Sequence, residues 1–425
     1  MGDNLLAKLT EALKNRDIKR LSSNFISLSI FQAVNYVLPL ITLPYLVRVL
    51  GPDKFGLVAF AQSFVLYFGI LVDYGFSLSA PREIAIHRDD KSRLTEIFSA
   101  VFILKVILLV LSFIVLMIFV YCLDPFARDK LLYLLSFGSV VGLALFPMWY
   151  FQGMEAMKYT SAINIISRSV FAGLIFIFVK TEEDYLLVPL INSLGSLIAA
   201  ILALWVIFKK LRQEFAVCSF DALKYQFKES TNFFWSRVSV SAYTSSNVFV
   251  LGLLTNNTIV GYYSIAEKIY MAAQQAYSPL VQTLYPYISK QKNVRLFRKL
   301  FATATVVNSI CVIIGMFLAD YLIYILSGQH FYESVLVLRL MFIALLVVVP
   351  SILLGYPFLG ALGYKNAANY SVIAGSVFHI IILSVCAVVD LMNLYLVAAL
   401  VIATEVVVFS IRLYFIKKYR LWSFR

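Results

Sequence analysis

The chain of 425 residues is 61% hydrophobic and only 14% charged, with a mean hydropathy of +0.86. Soluble domains average roughly 45–50% apolar and about 25% charged, so this composition excludes a soluble enzyme or binding module and specifies a polytopic, all-α membrane protein. The formal net charge of +13 is spread over short connecting segments, which fits membrane topology and anionic lipid headgroups and not a nucleic-acid surface.

Residues 1–23 carry Leu5, Leu6, Leu9 and Leu13 as an apolar stripe, with Lys8, Lys14, Arg16, Lys19 and Arg20 beside it. This predicts an amphipathic segment on the inner leaflet rather than a cleaved signal, the alternative being a solvated basic tail. Apolar windows of about 20 residues then predict twelve transmembrane helices at 24–49, 55–79, 97–121, 131–152, 162–179, 185–208, 231–254, 259–284, 300–326, 331–360, 367–389 and 394–416. Pro39, Pro44, Pro279, Pro350 and Pro357 predict kinks or tilt within them. Lys and Arg outside the spans divide 25 to 5 between the two sides. That bias puts both termini in the cytoplasm.

Two stretches repeat within the chain. FGLVAFAQSF from Phe55 overlays VGYYSIAEKI from Val260, matching Gly56, Ala61 and Gln62 to Gly261, Ala266 and Glu267 at an offset of 205. FQGMEAMK from Phe151 overlays FLGALGYK from Phe358, matching Phe151, Gly153 and Lys158 to Phe358, Gly360 and Lys365 at an offset of 207. The expected organisation is an N-lobe at 24–208, a basic cytoplasmic linker at 209–230, a C-lobe at 231–416 and a tail at 417–425. Six helices per lobe preserve orientation, so a pseudo-two-fold axis along the membrane normal would relate the lobes.

Apart from Arg48, at the very end of the first span and counted with the loop that follows it, six basic residues fall inside the predicted spans: Lys105, Arg168, Arg237, Lys268, Arg339 and Arg412. A charge at the bilayer centre costs at least about 2.5–3.5 kcal/mol, so such cations face protein or a wet cavity and mark candidate sites. Arg412 is near a cytoplasmic span end and can snorkel, and Lys105 can pair with Asp73. Arg168 and Arg237 enter from the cytoplasmic side; Lys268 and Arg339 lie deeper from the opposite side. Tyr263, Glu267, Tyr270, Gln274 and Tyr277 recur at helical spacing on one face. Gln32, Asn35, Pro39 and Thr42, then Gln62, Gly69 and Asp73, and Arg237, Ser241, Thr244 and Ser245 form polar faces on the first, second and seventh spans. Each face either lines a cavity or bonds helix to helix, and the Tyr/Glu/Gln face favours the cavity. Glu267, Asp73 and Glu405 are the candidate ion-coupling carboxyls. The four cysteines and three histidines are scattered, so neither a metal site nor a cofactor is indicated.

The stretch NYVLPLITLPYLVRVLGPDKFGLVAFAQSF (Asn35 to Phe64), VDYGF (Val72 to Phe76) and FPMWYFQGMEAMKYTSAINIISR (Phe146 to Arg168) resemble bacterial O-antigen and polysaccharide-repeat flippases. These are the Wzx-type members of the multidrug/oligosaccharidyl-lipid/polysaccharide exporter superfamily. The resemblance implies a non-enzymatic transporter of the inner membrane that moves undecaprenyl-diphosphate-linked oligosaccharide from the cytoplasmic to the periplasmic leaflet. It also implies a possible coupling ion (proton or sodium) and other polysaccharide-assembly membrane proteins as partners. Guanidinium forks suit a diphosphate and aromatic faces suit sugars, which gives Arg168, Arg237, Lys268, Arg339, Tyr263, Tyr270, Gln274 and Tyr277 as the expected substrate-binding set. A cation-coupled multidrug exporter of the same fold is one rival, disfavoured by the excess of bases over acids in the spans. A membrane polymerase or ligase is the other, disfavoured by short periplasmic loops.

Overall fold

Apolar runs inside a bilayer must satisfy their own backbone hydrogen bonds, and helices do so within one segment. A computed structural model describes the backbone of residues 16–423 and the side chains from Ile41 onward, apart from positions 236, 239, 240, 242–244, 329 and 423. All regular structure among the described residues is helical. The amphipathic stripe expected at 1–23, the side chains of Gln32, Asn35 and Pro39, and that of Thr244 lie outside the described residues.

In chain order the helices are α1 (Arg16–Asp73), α2 (Phe76–Ile86), α3 (Lys91–Cys122), the single turn α4 (Asp124–Ala127), α5 (Lys130–Leu145), α6 (Met148–Gly153) and α7 (Met157–Phe178). There follow α8 (Leu187–Trp205), α9 (Phe220–Thr244), α10 (Ser246–Leu254), α11 (Asn257–Gln275), α12 (Ser278–Gln291), α13 (Val294–Ser327), α14 (Ser334–Leu354), α15 (Lys365–Val388) and α16 (Leu394–Lys418). Nine segments among the described residues are long and apolar enough to cross a membrane. The first of these, Ile41–Ile86, covers parts of two predicted spans, and α9 to α12, where the seventh and eighth spans were expected, are not among the nine. Those two expected spans carry Arg237, Glu267, Lys268 and the tyrosine stripe, which lowers their hydropathy. The chain is a multi-pass membrane protein.

Several predicted spans are broken, and proline accounts for only some of the breaks. Gly51 interrupts α1 with φ 64° and ψ 178°, a left-handed φ that favours glycine. Tyr74 (φ 43°) and Gly75 (φ 79°) separate α1 from α2. A Cβ on Gly75 would lie 2.8 Å from Phe233 Cβ and 2.9 Å from the Ser230 carbonyl. The fourth expected span breaks at Phe146–Pro147 and the eighth at Ala276–Tyr277, just before Pro279 at the start of α12. Pro357 sits in a wide π turn, Gly355–Gly360, that follows α14, whereas Pro350 is accommodated inside α14.

The described chain divides into two compact units, one comprising the described residues up to Thr42 with Phe64–Arg237 and the other Leu43–Ser63 with the described residues from Val238 onward. The first is centred on a cluster that includes Phe76, Ile84, Phe98, Trp149, Tyr150 and Phe151. The early part of α9 is bound into this unit. Tyr74 stacks between Phe227 at 4.2 Å and Phe234 at 4.5 Å, Ser79 and Ser230 share a buried hydroxyl contact at 2.7 Å, and Tyr225 and Gln226 both donate to Glu83 at 3.0 Å. Half of the expected linker is therefore helix docked on α2. Buried Gln213 holds the remainder, accepting from Tyr150 at 2.8 Å and donating to Thr95 at 3.1 Å.

In the second unit a cluster around Phe297, Leu353, Leu354, Phe358 and Ile416 packs beneath Leu421. The segment after Gly51 crosses α11 with no side chain between the backbones. A Cβ on Gly56 would meet the Asn257 carbonyl at 1.8 Å and the Gly261 nitrogen at 2.6 Å, and one on Gly261 would meet the Pro52 carbonyl at 2.1 Å. Gly56 and Gly261 are the two positions matched by the first internal repeat.

Candidate functional site: the intramembrane charges

In the first unit, Asp73 ends α1 and accepts from Ser77 at 2.6 Å. Lys105 of α3 is 2% exposed; its ammonium lies 3.8 Å from Asp73 and donates to the Leu143 carbonyl at 3.3 Å. Burying either charge alone would be costly, so each offsets the other's desolvation. The pairing read from the sequence is present, and Asp73, a candidate coupling carboxyl, has a resident counterion. Arg168 on α7 is half-buried and Arg237 on α9 is exposed. Neither has a hydrogen-bond or ion-pair partner among the described residues.

In the second unit the expected cavity face divides. Tyr263 is fully buried and Tyr270 is 8% exposed, so both rings pack inside the unit. Tyr277 lies beyond the end of α11 and donates to Asn308 at 3.0 Å, while Asn308 donates to the Leu345 carbonyl at 2.9 Å. The helical register that placed Tyr277 on the same stripe does not survive the break at Ala276. Glu267 and Gln274 are half-buried and Lys268 is exposed. Arg339 of α14 is bonded to Asp320 of α13 with both side chains substantially exposed, so its charge is compensated by a neighbour 19 residues away.

The deepest guanidinium has a structural task. Arg412 of α16 is 7% exposed, and donates to the Ser371 hydroxyl at 3.0 Å, the Ser351 hydroxyl at 2.9 Å and the Ser351 carbonyl. It packs flat on Gly355, where a Cβ would stand 3.0 Å from the guanidinium carbon. Arg412 thus satisfies a carbonyl near the end of α14, just before the π turn. Glu405, half-buried, precedes it by seven residues on the same helix.

One polar cluster went unread in the sequence because its members stand alone in three different helices. His379 of α15 is 1% exposed; its Nδ1 lies 2.8 Å from the Thr404 hydroxyl of α16 and its Nε2 lies 2.9 Å from Asn247 Oδ1 of α10. The available signal was weak: His379 is a strongly polar residue in an apolar stretch, but Asn247 follows a run of hydroxyl residues and Thr404 adjoins Glu405.

Comparison with known proteins fits these observations. The profile of the family described as "Polysaccharide biosynthesis protein" matches residues 21–292. A protein of Escherichia coli (strain K12), provisionally named an O-antigen transporter, is 30% identical over 410 residues, covering 94% of this chain and 98% of its own length. Among solved structures, lipid II flippase MurJ in an inward closed conformation superposes with a TM-score of 0.72 at 13% identity, covering 92% of this chain and 87% of that one. An inward-facing multidrug resistance MATE family transporter of the MOP superfamily superposes with a TM-score of 0.65 at 16% identity, covering 94% and 98%. These likenesses establish a MOP-type fold. The chain belongs to the polysaccharide biosynthesis protein family.

Proposed function

We propose that this protein is a flippase that carries an undecaprenyl-diphosphate-linked oligosaccharide, an O-antigen or similar repeat unit, from the cytoplasmic to the periplasmic leaflet of a bacterial inner membrane by alternating access. The observation that carries the reading is the near full-length match to a protein provisionally named an O-antigen transporter. The fold it shares with a lipid II flippase supports a lipid-linked substrate. Twelve spans in two six-helix lobes, at 24–208 and 231–416, and two cytoplasmic termini belong to the same proposal. The Gly56–Gly261 contact supports the duplication, because elements related by a two-fold axis meet at equivalent positions when they touch on that axis.

The substrate contacts follow from which cations lack partners. Arg168 and Arg237 have no counterion among the described residues, Lys268 has the neighbouring Glu267 carboxyl acting on it, and a diphosphate would supply the charge the two arginines lack. Gln274 and Glu267, half-buried beside Lys268, offer hydrogen-bonding groups for sugar hydroxyls, with Glu267 and Glu405 as coupling carboxyls. Arg339, already paired with Asp320, is the weakest member of the expected set, and Tyr263 and Tyr270 would reach substrate only if their packing opened.

The test is complementation of a strain lacking its own O-antigen flippase, scored by surface polysaccharide and set against resistance to cationic drugs. Restored polysaccharide without drug resistance is expected. Arg168→Ala and Arg237→Ala should abolish restoration at unchanged membrane abundance. Drug resistance without polysaccharide would replace the proposal with a multidrug exporter.

A further inference from the structure

The last span of each unit runs into the same short sequence. KKLR at Lys209–Arg212 overlays KKYR at Lys417–Arg420 at an offset of 208, close to the offsets of the two longer repeats. The backbones match as well. Arg212 and Arg420 are both left-handed, with φ 52° and 51°, a conformation uncommon outside glycine. In each case the next residue, Gln213 or Leu421, is buried, so the arginine turns the chain back onto its own unit. The lysine pair is left exposed at the turn.

Lysines in a last helical turn complement the helix dipole, but that role asks nothing of their surroundings. Here the second lysine of each pair is seated on aromatic rings. Lys210 Nζ stands 5.7 Å from the ring centres of both Tyr159 and Trp205, and Lys158 Nζ stands 5.1 Å from that of Tyr159. In the second unit Lys418 Nζ stands 5.8 Å from the ring centres of both Tyr414 and Tyr419. Tyr419 in turn stacks at 4.4 Å on Tyr364, the residue before Lys365. Lys158 and Lys365 are the lysines already matched by the second repeat. Cation–π contacts hold these ammonium groups in place without neutralising them.

The chain offers these lysines no counterion. Lys158, Lys209, Lys210, Lys365, Lys417 and Lys418 have no ion pair among the described residues. Glu155, close to Lys158 in sequence, is bonded to Arg88 at 2.9 Å, and residues 361–389 and 406–425 contain no acidic residue. Trp205 and Tyr414 are more than half exposed, and both stand near the ends of segments long and apolar enough to cross a membrane. Aromatic rings at such ends lie at headgroup level. The occupant that fits is amphiphilic, with an anion for the lysines and an apolar body for the rings. We propose that each unit seats an anionic phospholipid at this turn. Its phosphate rests on Lys158 and Lys210 in the first unit and on Lys417 and Lys418 in the second, with its chains along Trp205 and Tyr414. A headgroup carrying its own ammonium would meet the lysines as a like charge, which sets the preference for an anionic one.

The test titrates the detergent-solubilised full chain with phosphatidylglycerol or phosphatidylethanolamine and counts bound lipids by native mass spectrometry. The native chain should keep two phosphatidylglycerol molecules under conditions that strip phosphatidylethanolamine. A basic residue near the membrane surface is worth about fivefold in affinity for anionic lipid. Lys158→Gln with Lys210→Gln should therefore weaken one seat about 25-fold, and Lys417→Gln with Lys418→Gln the other. Lys290→Gln with Lys299→Gln removes the same charge from exposed positions outside the turns and should keep both lipids. Trp205→Leu and Tyr414→Leu keep every charge and should each release one lipid several-fold more readily. All the substituted positions are exposed, so the variants should melt like the native chain. Equal retention of the two lipids by the native chain, no loss in the lysine variants, or an equal loss in the Lys290 and Lys299 control overturns the proposal. Displacement of phosphatidylglycerol by millimolar inorganic phosphate would also overturn it, making the turns free-anion sites. Displacement by a polyprenyl-diphosphate-linked oligosaccharide would overturn it too, by giving the seats to the transported molecule. Transport is not read in this experiment, so the flippase proposal stands or falls apart from it.

Discussion

Replacing Gly56 with alanine tests a helix crossing at which backbone meets backbone. The added carbon would lie 1.8 Å from the Asn257 carbonyl oxygen, whereas ordinary contact begins near 3.4 Å. The two backbones must therefore separate by about 1.5 Å, and no flexible side chain is present to yield instead. Overpacking of this kind costs about 1–3 kcal/mol, while alanine in a helix interior returns up to about 1 kcal/mol over glycine. A net loss of about 1–2 kcal/mol corresponds to a fall of about 2–8 °C in melting midpoint for a unit of roughly 200 residues. Gly69→Ala and Gly173→Ala are the controls: both glycines lie within helices with nothing within 4 Å of the new carbon, so both should melt slightly above the native protein. Thermal unfolding of the detergent-solubilised chain measures all three. A Gly56→Ala midpoint at or above the native value, alongside controls that behave as expected, would refute the close-contact reasoning.

Arg412→Met, which leaves the Ser351 carbonyl and the Ser351 and Ser371 hydroxyls without their donor, should destabilise by about 1–3 kcal/mol, and Arg412→Lys should recover part of it; a melt like that of the native chain would remove the guanidinium from the account of the fold. Asp73→Asn should cost about 3 kcal/mol by leaving Lys105 buried without its counterion, and the double variant with Lys105→Met should regain most of the loss, a rescue scored in a double-mutant melt. Gln213→Ala, which orphans Tyr150 and Thr95, should cost about 1–3 kcal/mol and raise protease cleavage within 211–219.

The apolar stretches were legible in the sequence because bilayer thickness dictates their length, and the Gly51–Pro52 break because only turn-forming residues stand there. Lys105 was legible as a partner for Asp73 because a buried cation needs a carboxylate at a similar depth; Arg412 was read as a structural residue through snorkelling, whereas it is buried on Ser351 and Ser371. The pairing of Arg339 was not legible: its counterion Asp320 sits on the preceding helix, across a turn whose geometry no spacing rule supplies. The tyrosine stripe was legible as a stripe, but its direction was not. Periodicity says which residues share a face and is silent on whether that face meets a cavity or a neighbouring helix, and the break at Ala276 removed Tyr277 from the register. His379 was invisible for a further reason, since its partners are 132 and 25 residues away on other helices.

The Gly56–Gly261 crossing also has a consequence for biosynthesis. The two backbones that touch there are 205 residues apart, and translation proceeds at about 5–20 residues per second, so the segment after Gly51 waits about 10–40 s for its partner to be made. During that interval its glycine-bearing face lies in the membrane without the helix it was shaped to meet. The first unit, by contrast, has its own docking part of helix α9 in place once residue 237 has been made. The nascent chain therefore holds one nearly finished body and one early hairpin that depends on the far end of the message. Truncations or stalls after residue 237 and before α11 should give a chain whose first unit is folded and whose early hairpin is exposed to quality-control proteases.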